Sequence, residues 1–130
     1  MWEIDTSLID GWLDGLDERS AYEVAAALTV LGDVGPTLGR PLVDRITASR
    51  HHQMKELRPG SAGRTELRIL FAFDPVRQAI MLLAGDKSGD WERWYQRAIP
   101  LADQLFDDHL AQLRQGQSAA KSTSKKRSKR

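Results

Sequence analysis

The chain has 130 residues, with 19 Lys and Arg, 18 Asp and Glu and no cysteine. This length predicts one domain with a modest core, and the absence of cysteine excludes disulfides, thiolate metal sites and thiol nucleophiles. The sequence has no run of 18 apolar residues, so it predicts no membrane-spanning helix. The acidic first ten residues do not resemble a secretory signal, so we expect a cytoplasmic protein that does not contact a membrane.

The net charge of +1 hides an uneven distribution along the chain. Residues 1–36 hold eight acids and one base, whereas residues 40–97 hold eleven bases and seven acids. The last fourteen residues hold six bases and no acid. We therefore expect an anionic partner to bind the middle of the chain and to avoid its beginning.

The first third of the chain predicts a short strand and a helical hairpin. Residues 2–5 alternate as in a strand, and apolar residues at helical spacing over 8–16 predict a first helix. Asp17 is placed to cap a second helix that ends near Gly32. Residues 33–52 are rich in glycine and proline, which predicts a loop.

Three strand patterns follow, at residues 54–58, 65–73 and 78–84. The middle one alternates cleanly, so that Leu67 and Phe71 share one face and Arg68 lies on the other. The connections between these strands are short, with a turn expected at residues 61–63, which favours an antiparallel meander.

The C-terminal part predicts helix and then a tail. Asp90 is placed to cap a helix that Pro100 ends or kinks, and an apolar stripe continues to Leu113. Residues 115–130 lack large apolar side chains, which predicts a disordered basic tail after a domain at 1–114. The order β-α-α-β-β-β-α indicates an α+β fold, with the helical hairpin packed on a small antiparallel sheet.

Polar and aromatic side chains that could carry chemistry gather around the meander. Arg68 interrupts the most apolar strand, where strand propensity does not explain an arginine. It faces a cleft, or it forms an ordinary ion pair with Glu56 or Glu66. Lys87 is either a cation of a functional site or an ordinary solvated lysine in a loop. The same choice between a structural and a functional role holds for Trp94, Tyr95, His51 and His52.

No residue spacing predicts a metal site, a phosphate-binding glycine loop or a serine nucleophile motif, so no cofactor is expected. The meander and its flanks do resemble one family, the RelE/ParE superfamily of bacterial toxins, and within it the HigB-like branch. The resemblance covers residues 2–113. It is carried by Leu38-Gly39-Arg40-Pro41, His52 to Arg58, Leu67 to Phe73, Leu82 to Gly89, Trp94-Tyr95 and Ile99 to Asp103.

The resemblance implies a RelE-like fold and a ribosome-dependent mRNA endonuclease that inhibits translation. It also implies a HigA-like helix-turn-helix antitoxin as partner, and operator DNA reached through that antitoxin. Arg68 matches the family's arginine on the central strand, which contacts the phosphate or the transition state. Lys87 matches the basic residue that ends the next strand. The further matches are Lys55 and Arg58 on the first meander strand, Tyr95 near the aromatic position of the last helix, and His52.

Metal-free RNA cleavage needs a base for the 2′-OH, cations at the phosphate, an acid for the leaving oxygen and a stacking surface. Arg68 and Lys87 suit the phosphate, since arginine can bind its oxygens in a bidentate manner. We expect Lys55 and Arg58 to hold the flanking backbone and Trp94 to stack. The base is open among His52, Asp86 and Glu56, and Tyr95 orients the nucleophile or acts as the acid.

Two other functions compete with mRNA cleavage. The first is a ParE-like toxin that inhibits DNA gyrase without a catalytic set. The second is a non-enzymatic interaction protein whose basic tail contacts nucleic acid through salt-dependent attraction.

Overall fold

The structure is a computed structural model that describes residues 1–60 and 63–128, so the turn expected at 61–63 lies partly outside the described residues. Over these residues the fold is α+β, with a five-stranded sheet and three α-helices. In chain order the elements are β1 (Glu3–Asp5), α1 (Asp10–Asp14), α2 (Glu18–Val34), a 3₁₀ turn (Gly35–Thr37), β2 (Val43–Arg45), β3 (Lys55–Leu57), β4 (Leu67–Phe73), β5 (Gln78–Asp86) and α3 (Trp91–Ser128).

The sheet is mixed, with strand order β1-β5-β4-β3-β2. The predicted meander is confirmed, because β3, β4 and β5 pair antiparallel. The expectation of a purely antiparallel sheet is wrong, since β1 pairs parallel with β5. The α1 and α2 segment carries the chain away from β1, and Trp2 N–H donates to the Gly32 carbonyl at 2.9 Å, which holds β1 beside the end of α2.

The segment predicted as a loop at 33–52 contains the edge strand β2, which pairs antiparallel with β3. Val43 is buried in the core and lies opposite Leu57. A three-residue strand is too short to show alternation, so its pairing comes from contact with β3 and not from its own pattern.

Helices cover both faces of the sheet. On one face, α2 packs Val24, Ala27 and Leu31 against a core that includes Ile69 and Phe71. On the other face, α3 packs Ala98, Ala102 and Phe106 against the alternate strand residues Leu70, Ala72 and Ile80. The sequence predicted one helical layer, and α3 is the second. We call these two sides the α2 face and the α3 face.

The helix boundaries agree with the sequence in part. Asp17 caps α2 as predicted, since its carboxylate accepts a hydrogen bond from Ser20 N–H at 3.2 Å. Pro100 lies inside α3 and does not end it. α3 runs to Ser128, over a stretch in which the sequence predicts a disordered tail at 115–130; that division of the chain stays a prediction. Residues 129 and 130 lie outside the described part.

None of the helices in the described residues is long and apolar enough to cross a lipid bilayer.

Candidate active site

The candidate site lies on the α3 face, where β4 begins, β5 ends and α3 starts. Arg68 pairs across strands with Gly85, one position before Asp86. Its neighbours in sequence, Leu67 and Ile69, face the α2 core, so the arginine side chain points to the α3 face. There it interacts with Tyr95 of α3, and Tyr95 in turn contacts Glu56 of β3 and Lys87 after β5. We call Arg68, Glu56, Lys87 and Tyr95 the Arg68 cluster.

Arg68 is 93% buried, with 7% of its surface exposed. Its Nη1 donates to the Leu67 carbonyl at 2.8 Å. Its Nε is buried and has no hydrogen-bond partner among the described residues. Buried polar groups are nearly always satisfied, so Arg68 is unusual in having a guanidinium donor for which the described residues supply no acceptor.

Tyr95 and Glu56 form the polar centre of the cluster. The Tyr95 hydroxyl donates to Glu56 Oε2 at 2.5 Å, and Glu56 is 7% exposed. Burial raises the pKa of Tyr95 well above its usual value, and the Glu56 carboxylate raises it further, while Arg68 acts in the opposite direction. Tyr95 is therefore a protonated donor throughout the neutral pH range.

Lys87 supplies a second cation on the same side of the sheet. Its Nζ lies 5.8 Å from the centroid of the Tyr95 ring and 5.9 Å from that of Trp91. Aromatic faces attract ammonium groups at such distances. Because Trp91 is 53% exposed, Lys87 and Trp91 together form the solvent-facing side of the cluster.

Trp94 fixes the start of α3 against the end of β5. A Cβ on Gly85 would lie 2.6 Å from the indole Nε1 of Trp94, so only glycine leaves room for this ring. Trp94 also contacts the Tyr95 ring edge-to-face, with centroids 5.0 Å apart. Trp94 thus packs under the cluster and helps to position Tyr95.

Arg58 joins the same face at the side of β3. Leu57 pairs with Ile69, so continuing this register by one residue brings Arg58 opposite Arg68. The Arg58 Nη1 lies 4.0 Å from Asp44 Oδ2. The strands therefore set two arginines beside one another on the α3 face.

Three of the candidate residues lie outside this group. Asp86 lies opposite Leu67, on the α2 side of the strand pair, and its Oδ1 accepts hydrogen bonds from Glu66 N–H and Ser88 N–H. Burial acts to raise the pKa of Asp86, but these hydrogen bonds lower it overall, as expected of a carboxylate that shapes a turn. Lys55 faces the α2 side, where its Nζ donates to the Pro36 carbonyl at 2.9 Å. His52 is exposed and lies near Lys55.

The sequence reasoning missed one member of the site and left another undecided. Trp91 was not considered, although its spacing of four residues from Tyr95 places both rings on one side of a helix. Glu56 was one of three candidate bases, and the structure places it, unlike His52 and Asp86, in contact with Tyr95. Within residues 1–60 and 63–128, no group of three or more His, Asp and Glu side chains is arranged to hold a metal ion.

Comparison with known proteins gives one family and two relatives. The family model described as "Phage derived protein Gp49-like (DUF891)" matches residues 11–107, which include the whole Arg68 cluster. Two proteins of Mycobacterium tuberculosis (strain ATCC 25618 / H37Rv) are similar to this chain. The one named "Putative toxin HigB2" is 58% identical over 111 residues, which cover 85% of this chain and 55% of that protein. The one named "Putative toxin HigB3" is 50% identical over 103 residues, covering 79% and 88% respectively. The chain thus spans about half the length of the first relative.

Proposed function

This chain belongs to the Gp49-like family of phage-derived proteins, and from that premise we propose that it is the toxin of a toxin–antitoxin pair and cleaves mRNA. Its similarity to two proteins named as HigB toxins supports the first part. The Arg68 cluster supports the second, since it combines a buried guanidinium that has an unused donor with a tyrosine–glutamate pair. The proposal includes membership of the HigB-like branch of the RelE/ParE superfamily.

The proposed reaction is attack of an RNA 2′-OH on the adjacent phosphorus. A bond forms between the 2′ oxygen and phosphorus, and the bond from phosphorus to the 5′ oxygen breaks. The products are a 2′,3′-cyclic phosphate and a 5′-OH end, and no water or metal ion takes part. The Arg68 guanidinium and Lys87 would stabilise the negative charge that grows on the phosphoryl oxygens. Such charge-assisted hydrogen bonds are the strong ones in proteins.

Glu56 and Tyr95 would move the protons. The Glu56 carboxylate accepts the proton of the 2′-OH, and the Tyr95 hydroxyl gives its proton to the departing 5′ oxygen. A tyrosine whose pKa is raised stays protonated until a strongly basic alkoxide forms next to it. The hydrogen bond between the two side chains then returns the proton from Glu56 to Tyr95 and restores the starting state. His52 and Asp86, the other candidate bases, lie outside this cluster.

The remaining parts of the proposal concern partners and place. We assign mRNA on the ribosome as substrate, a HigA-like helix-turn-helix protein as antitoxin, operator DNA as a contact made through that antitoxin, and the cytoplasm as the compartment. Arg58, next to Arg68, would hold the flanking phosphate, and Trp91 and Trp94 offer ring surface at the start of α3. Inhibition of translation would follow from loss of the message.

The test is to incubate the purified protein with ribosome-bound mRNA and with the same mRNA alone, and to map the cut ends chemically. The proposal predicts cleavage of the ribosome-bound message, with 2′,3′-cyclic phosphate and 5′-OH ends. A parallel supercoiling assay with DNA gyrase addresses the ParE-like alternative. Inhibition of gyrase together with intact mRNA would contradict the proposal, as would 5′-phosphate ends, which indicate attack by water.

A further inference from the structure

A second cationic site lies on the α2 face, at the β2 edge of the sheet. It is a cleft of about 390 Å³ between the loop that follows the 3₁₀ turn and the two outer strands. We call it the β2-edge cleft. Its lining residues are Leu38, Gly39, Arg40, Val43, Asp44, Arg45, His52 and Lys55. The proposed cleavage reaction uses none of them.

The cleft holds two like charges directly opposite each other. Arg45 on β2 pairs across strands with Lys55 on β3. Like charges in this position destabilise a sheet. Burial lowers the pKa of Lys55, and the Arg45 charge lowers it further, so the ammonium group is short of solvation and of negative neighbours. A bound anion would relieve both effects.

The acid in the lining does not neutralise this pair. Asp44 Oδ2 lies 3.1 Å from Arg40 Nη2 and 4.0 Å from Arg58 Nη1, so that carboxylate is already shared by two other cations. Neither Arg45 nor Lys55 forms an ion pair with an acid among the described residues. Lys55 Nζ donates one hydrogen bond, to the Pro36 carbonyl, and lies 5.5 Å from the centroid of the Phe73 ring. An ammonium group has three N–H donors, so Lys55 keeps donors for a ligand beside Arg45.

The cleft and the Arg68 cluster are joined around one edge of the sheet. Lys55 and Arg58 lie three residues apart on the same short segment, so their side chains leave it on opposite faces. β2 is the outermost strand, and Asp44 lies on it, with its Oδ2 4.0 Å from Arg58 Nη1. A single strand that binds at both places would run from Arg68 past Arg58 and around the β2 edge, where Arg40 and Arg58 offset the charge of Asp44.

We propose that the β2-edge cleft binds two consecutive phosphates of a single-stranded RNA, through Arg45 and Lys55. This inference rests on the proposed RNA substrate and adds a second binding site to it. A row of phosphates matches the arginine fork and the lysine point charge. The exposed His52 ring at the rim supplies a surface on which an unpaired base can stack.

The experiment measures binding of a twelve-nucleotide RNA that is 2′-O-methylated at every sugar and therefore cannot be cleaved by 2′-OH attack. Fluorescence anisotropy between 50 and 200 mM salt gives the slope of log K against log salt for the wild type and for Arg45→Gln/Lys55→Gln. Each phosphate contact on a single strand contributes a slope of about 0.7. The slope of the double variant should therefore be less steep by about 1.4. Between 50 and 200 mM salt, its loss of affinity should be about sevenfold smaller than that of the wild type.

The control variant is Arg19→Gln/Arg114→Gln, which removes the same charge from two exposed positions away from the cleft. It should keep the wild-type slope. Melting curves check folding, since the double variant removes a repulsion between strands but also the Lys55 hydrogen bond to the Pro36 carbonyl. An unchanged slope in Arg45→Gln/Lys55→Gln, or an equal loss in the control, would overturn the inference.

Polyglutamate is the second probe. If it binds more tightly than the RNA and depends on Arg45 and Lys55 in the same way, the ligand is an acidic protein segment and the RNA assignment is wrong. The cleavage reaction is judged separately, since the methylated RNA is never cut. If the protein shows the expected slopes but leaves mRNA intact, the proposed function is wrong and the assignment of the cleft as an RNA-binding site stands.

Discussion

At the scale of single residues, the alternation of a strand decides which side chains can act together. Arg68 and Lys87 share the α3 face, and the apolar pattern around Arg68 was enough to predict that this arginine faces away from Leu67 and Ile69. The same alternation places Lys55 and Arg58, three residues apart, on opposite faces of the sheet, although the sequence analysis assigned both to one role. The contact between Glu56 and Tyr95 joins residues 39 apart in sequence and needs the packing of α3 on the sheet.

A prediction at this scale concerns Gly85. In Gly85→Ala the new Cβ would lie 2.6 Å from Trp94 Nε1 and 3.1 Å from Cε2, so the indole ring must move. Overpacking of this kind costs about 1–3 kcal/mol, and we expect urea denaturation to show that loss in the free energy of unfolding. The matched control is Gly11→Ala in α1, where nothing lies within 4 Å. That change should leave stability unaltered or raise it by up to about 1 kcal/mol. Equal stability of both variants would contradict this account.

At the scale of elements, strong local patterns were predictable and contact-dependent features were not. The local residue pattern alone predicts β4, β5, α2 and the Asp17 cap. β2 has three residues and owes its existence to β3, and the parallel pairing of β1 with β5 depends on a return path through two helices. The packing of α3 on the second face was also missed, because it depends on contacts between Leu70 and Ala72 and a helix that follows much later in the chain.

The segment between β2 and β3 is tied to α3 by a pH-sensitive contact. Asp107 accepts hydrogen bonds from Arg50 Nη2 and from His51 Nε2, each at 2.7 Å. The hydrogen bond from Arg50 lowers the pKa of Asp107 most, and the hydrogen bond from His51 lowers it further. A carboxyl with a lowered pKa adds stability above its unfolded-state value of about 3.9 and loses it as the pH falls through the folded-state value.

We therefore expect Asp107→Asn to be less stable than the wild type at pH 5, and the difference to shrink as the pH falls from about 4 towards 2.5. Urea denaturation across this range measures it. Asp108→Asn is the control, since Asp108 is exposed and accepts one hydrogen bond, from Gln104. A difference that stays constant, or grows, at low pH would show that the Asp107 carboxylate does not act in this way.

At the scale of the whole molecule, the acidic first third of the chain supplies the helix that covers the α2 face. Cationic residues lie on the α3 face and at the β2 edge. Short motifs across residues 2–113 carried a resemblance to bacterial toxins, and the similarity to two proteins named as HigB toxins supports it at that level. Membership of the RelE/ParE superfamily stays a prediction. The α+β class was predictable as well. The number of helical layers on the sheet and the separation of the cations onto two faces were not, because both depend on which face of the sheet each helix covers.

The central claim is that the buried Arg68 guanidinium stabilises the transition state of mRNA cleavage. It is tested by the single-turnover rate on ribosome-bound mRNA for the wild type, for Arg68→Gln and for the exposed control Arg114→Gln, with melting curves to show that each is folded. Removing one preorganised donor to a developing charge costs about 10²–10³ in rate. The account predicts that loss for Arg68→Gln and a wild-type rate for Arg114→Gln. A folded Arg68→Gln protein that cuts the message at the wild-type rate would contradict it.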